Sequence, residues 1–81
     1  MTRTPKEKRI KKGADAEHLL NDPIIQEIFE TLGSRYNNAW VSSGLDDTQK
    51  RETMFLALRA LEEFKLELES LILGGKLAQK E

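Results

Sequence analysis

The chain contains no cysteine, which excludes a disulfide framework, a thiolate nucleophile and a cysteine-based zinc site. Histidine occurs once, as His18, and one imidazole without a second nitrogen or sulfur ligand makes a poor zinc or iron site. No apolar run approaches the ~20 residues that span a bilayer, and no stretch resembles a secretory signal. The expectation is a soluble, non-secreted protein of a cytoplasm, or of a particle built in one, with no membrane partner. Eighty-one residues make one small domain, near the lower limit for folding without metals or disulfides. So small a helical body builds no pocket in which paired groups could perform acid–base chemistry. No catalytic residue, metal ligand or cofactor is therefore assigned, and the chain is expected not to be an enzyme.

What is present is charge, unevenly placed. The net charge of -1 conceals a basic segment, residues 1–13, where Arg3, Lys6, Lys8, Arg9, Lys11 and Lys12 face only Glu7. The remainder carries seven basic and thirteen acidic residues. Apart from Ile10 the segment lacks apolar side chains that could offset the entropy of ordering, so it reads as a disordered basic arm. Its six cations are the candidate contacts to DNA phosphates or to an acidic protein surface. With no aromatic or glycine-rich interleaving and an acidic body behind it, any DNA contact would be non-specific and salt-sensitive.

Residues 14–20 (ADAEHLL) suit a short helix. Asn21-Asp22-Pro23 then ends it and starts another: Pro costs no hydrogen bond at a first helical position, and Asp22 before it is a capping residue. From about 22 to 42, Ile24, Ile25, Ile28, Phe29, Leu32, Tyr36, Ala39 and Trp40 share half the helical circumference. Gly33 lies at the edge of that face, where close packing would explain it. Ser42-Ser43-Gly44 reads as a helix end, with Gly44 supplying left-handed backbone. A last helix is expected over 46–74. Asp46 caps it, Gly74-Gly75 stops it, and 76–81 follow as a flexible tail. Its main apolar face comprises Met54, Ala57, Leu58, Leu61, Phe64, Leu68, Leu71 and Ile72, and Arg59 with Glu63 and Lys65 with Glu69 are spaced for i,i+4 pairs.

The fold class is therefore all-α: an antiparallel two-helix hairpin with the short helix packing Leu19 and Leu20 against one end. The last helix is long enough to overhang its partner. Phe55, Leu66 and Leu73 project away from the main face, with Leu56 farther round. An apolar stripe that two helices cannot cover on both sides is a candidate protein interface. The acidic residues Glu62, Glu63, Glu67 and Glu69 point to different sides of one helix and read as a solvated face, since hard cations need converging oxygens. Asp46 and Asp47 lack the spacing of a calcium loop. Tyr36 and Trp40, one turn apart in line with Phe29 and Leu32, read as core near the hairpin turn, their polar atoms at its rim.

Leu19-Leu20-Asn21-Asp22-Pro23 with Ile24 and Ile25, Tyr36-x-x-Ala39-Trp40, an acidic turn leading to Arg51-Glu52, and Gly75-Lys76-Leu77-Ala78 can be taken together. Over residues 16–78 this resembles a family of short proteins encoded among the virion genes of tailed bacteriophages, first recognised in a Bordetella podophage. The segment ETMFLALRALEEF departs from that pattern, which carries a tryptophan there. The resemblance implies a helical hairpin acting as a virion-associated or assembly protein, in the particle or the host cytoplasm. It brings no catalytic residues, and together with the uncovered stripe and the small size it leads to the expectation of binding to itself or to a larger virion protein. The alternative is a nucleic-acid-binding accessory of packaging or regulation, led by the basic arm.

Overall fold

The computed structural model describes residues 4–81. Three helices follow one another: α1 (Pro5–Asn21), α2 (Pro23–Ser42) and α3 (Thr48–Gln79). The all-α hairpin is as expected: α2 and α3 run antiparallel, with Phe29 and Phe64 ring centroids 5.8 Å apart at mid-length. Along α2, Ile25, Phe29, Leu32, Tyr36 and Ala39 turn inward at steps of four and three, the spacing of a coiled-coil seam. Asp22 joins two helices at one residue. Its carboxylate accepts from the Ile24 N–H at 2.9 Å, while its own N–H donates to the Leu19 carbonyl at 3.1 Å.

The N-terminal segment departs from expectation. It is helical from Pro5, not disordered to residue 13, and α1 spans 17 residues where a short helix over 14–20 was expected. The local cause is a complete helix start: the Thr4 hydroxyl accepts from the Glu7 N–H at 3.1 Å, Pro5 opens the helix, and Glu7 lies in its first turn. The tertiary cause is close backbone packing. Gly13 and Ala16 are buried on α1, with Gly13 directly opposite Gly75, and Gly75 and Ala78 are buried on α3. A Cβ on Gly13 would lie 2.9 Å from the Leu71 carbonyl oxygen and 3.0 Å from the Gly75 Cα. Helix backbones in contact gain dispersion energy without any large side chain.

Gly74 and Gly75 therefore do not stop α3, which continues to Gln79, so the expected flexible tail is mostly helix. α1 lies along the C-terminal half of α3 and covers what would have been an overhang, instead of capping one end with Leu19 and Leu20. Leu19 stays exposed. Two further local expectations are corrected. The cap of α3 is Asp47, which accepts from the Lys50 N–H at 3.1 Å, while Asp46 sits in the turn. No described glycine has positive φ. The end of α2 is closed by Ser43, whose hydroxyl and N–H both donate to the Trp40 carbonyl, at 2.6 and 3.3 Å.

α1 and α2 both pack on α3 and barely on each other. The outcome is a rod, 57 × 23 × 22 Å, with a radius of gyration of 17.3 Å against ~12 Å for a compact domain of this length. Its core is thin. Ala16, Leu68 and Ala78 are the buried apolar side chains among the described residues, and no large one is fully enclosed.

Two outcomes test this packing by urea denaturation. Gly33→Ala and Gly74→Ala, where an added Cβ meets ordinary contact or open space, should each stabilise by up to ~1 kcal/mol. Gly13→Ala should instead destabilise by about 1–3 kcal/mol despite the same gain in helix propensity. A stabilised Gly13→Ala would refute the backbone contact. Asp22→Ala should cost ~1 kcal/mol.

Candidate interaction surface

Among the described residues the depressions at His18 and at the hairpin turn are open, and no three His, Asp or Glu side chains are placed to hold a metal ion. His18 borders a shallow dip with Ala14, Glu17 and Asn21. No helix among the described residues is long and apolar enough to cross a membrane. What the geometry does provide is surface of two kinds.

The first is apolar and belongs to α3. Its inner side carries Met54, Ala57, Leu61, Phe64, Leu68, Leu71, Gly75 and Ala78 at alternating steps of three and four, all at least partly covered except Phe64. On the opposite side Leu56, Arg59, Glu63, Leu66, Ser70, Leu73 and Leu77 repeat the same steps, and every one is exposed. Leu66 and Leu73 are 54% and 58% accessible. The two charged members neutralise each other, Arg59 Nη2 lying 3.8 Å from Glu63 Oε1. A second coiled-coil-like stripe thus runs ~32 Å along the outside of the longest helix.

This arrangement sorts the residues singled out from sequence. Leu56, Leu66 and Leu73 fall on one line. Phe55 leaves it and lines a groove at the hairpin turn with Trp40, Leu45 and Arg51. The Arg51 guanidinium sits 5.0 Å from the Trp40 ring centre there, a cation–π contact on the partly exposed indole. Leu77 was missed because the chain beyond Gly75 read as a tail. The extended α3 adds it to the stripe.

The second kind is the basic face of α1. Lys6 Nζ donates to the backbone oxygen of Glu81 at 2.7 Å, and Arg9 reaches the Glu81 carboxylate at 3.0 Å and the Gly74 carbonyl at 3.4 Å. These two cations lie at the negative end of α3, where the helix dipole favours positive charge. Lys11 pairs with Asp15 at 3.1 Å. Lys8 and Lys12 are exposed, one turn apart, and make no ion pair among the described residues. Arg3 lies outside the described residues. Half of the supposed nucleic-acid arm is thus engaged within the chain.

The elongated shape also leaves much surface exposed. The chain presents 6396 Å², against ~5,000 Å² for a compact monomer of this size. The excess, on the order of 1,400 Å², exceeds the ~800 Å² each partner covers in a standard interface. No family model matches the chain, and no curated protein or solved structure matches it either.

The Arg9–Glu81 pair is exposed on both sides, so its worth is small. Arg9→Ala should lower stability by no more than ~1 kcal/mol, with the loss shrinking in high salt. Deleting residues 1–17 should cost several times more, because it removes Gly13 and Ala16, the α1 residues buried against α3. Thermal unfolding followed by circular dichroism separates the two. Equal effects would mean that α1 holds on by charge and not by packing.

Proposed function

We propose that this is a non-enzymatic bacteriophage protein, associated with the virion or with its assembly, that works by presenting helical surface to other proteins. The single observation that carries the protein-binding part is the outer stripe of α3, seven exposed positions in coiled-coil spacing on a body with almost no enclosed core. Four exposed leucines on one line of a rod this thin are stabilised by covering them, and a helix face is the surface that fits them. The phage assignment is supported by the resemblance of residues 16–78 to the short hairpin proteins encoded among virion genes. Its partner is then a second copy or a larger virion component, and its place is the particle or the host cytoplasm. No cofactor enters this reading.

A second reading has one observation in its favour. Lys8 and Lys12, exposed on one face of a formed helix without acidic partners, suit two phosphates of packaged DNA. On that reading Lys8→Ala with Lys12→Ala lowers the slope of log affinity against log salt by about two. An unchanged slope removes DNA from the partners of α1.

The assembly reading is tested on purified particles and on assembly intermediates by quantitative mass spectrometry. The chain is expected at a fixed ratio to a capsid, portal or tail component, and a Leu66→Glu, Leu73→Glu variant that keeps its helical signal is expected to be lost from them. Retention of that variant at the wild-type ratio, or absence of the wild-type chain from every fraction, would sink the proposal.

A further inference from the structure

We infer that the outer stripe of α3 pairs with the same stripe of a second copy, antiparallel and offset toward the C-terminal half. The inference rests on the protein-interaction reading above and names its partner. Three of the four exposed leucines on the stripe, Leu66, Leu73 and Leu77, lie within twelve residues and have only Ser70 between them in the repeat. An antiparallel pair about a two-fold axis near residues 71–72 brings Leu66 of one copy against Leu77 of the other, and Ser70 against Leu73. Each contact then occurs twice, as a two-fold interface requires.

Charge chooses this arrangement over its competitors. In a parallel, in-register pair Arg59 would meet Arg59 and Glu63 would meet Glu63, and like charges at a seam are what exclude a pairing. In the antiparallel offset, Glu63 meets Lys80 of the second copy, and Glu69, which flanks the stripe on the same side as Lys76, meets Lys76. All four side chains are exposed, and none makes an internal ion pair beyond that between Arg59 and Glu63. The acidic middle of one rod therefore lies along the basic end of the other. The area agrees: each chain exposes on the order of 1,400 Å² more than a compact monomer, and a stable dimer needs ~800 Å² of it. The stripe faces away from both α1 and α2, so pairing demands no rearrangement of the hairpin.

A charge swap tests the register, read by sedimentation equilibrium of the full chain at low and moderate salt. The wild-type chain is expected to be a dimer at tens of micromolar. Glu63→Lys with Glu69→Lys, and separately Lys76→Glu with Lys80→Glu, should each weaken dimerisation by about tenfold or more, because like charges then face each other. The four substitutions together should restore it to within about threefold of wild type. Failure of restoration, with helical content unchanged, overturns the antiparallel register. A wild-type chain that sediments as a monomer overturns self-pairing. Absence of the chain from purified particles, by contrast, overturns the assembly role and leaves a measured dimer standing.

Discussion

The contact between the Gly13 and Gly75 backbones decides the shape of this protein. Each glycine sits in a helix interior, where it costs ~1 kcal/mol relative to alanine, and each lies where a Cβ would press on the opposite backbone. The contact is what allows α1 to lie flat on α3. With α1 in place, the inner side of the long helix is covered along most of its length by two shorter helices placed end to end and joined at Asp22. Without it, the C-terminal half of α3 would present bare backbone at two adjacent glycines. The 57 Å rod is thus the consequence of two missing side chains.

Stability in such a body is spread thinly. Among the described residues Leu68 is the one large apolar side chain that is buried, and no large one is fully enclosed. Little of the stability therefore comes from the several kcal/mol that a buried leucine gives a globular core. Helix caps at Thr4, Asp22 and Asp47, the tilted Phe29–Phe64 contact and the Arg51–Trp40 contact each add a modest share. The cations at the start of α1 belong to the same ledger of small terms, holding the end of α3 by charge where the glycines hold it by proximity. The basic character of the N-terminal segment is thereby explained in part without any nucleic acid.

The features legible in the sequence were those expressed as apolar periodicity or as capping chemistry. The steps of three and four along α2 and α3 revealed the hairpin, and Asp22-Pro23 marked a boundary because a proline there has one economical place. α1 was illegible because its packing uses glycine and alanine, which carry no hydropathy signal, and because its lysines and arginines resemble a solvated tail. Gly74-Gly75 misled for a related reason: the same residue that ends helices also permits their closest approach, and only the opposing Gly13 distinguishes the two. Of the interface residues, Leu56, Leu66 and Leu73 could be found by excluding them from the core. That they form one line with Leu77, and that Phe55 leaves it, follows from the observed inner seam.

These two aspects of α3 are coupled. The outer stripe is continuous to Leu77 only because the helix runs past two consecutive glycines, where α1 packs against it. Any partner that grips Leu73 and Leu77 binds the extended form of α3 and not a frayed one, so it stabilises the α1 contact by mass action. By the same linkage, α1 docking raises the affinity of the stripe for that partner, although the two surfaces lie on opposite sides of the helix. The glycine contact that shapes the chain would therefore also set how much of the proposed interface exists to be used, and a change at Gly13 would be felt at Leu77 without any side chain passing between them.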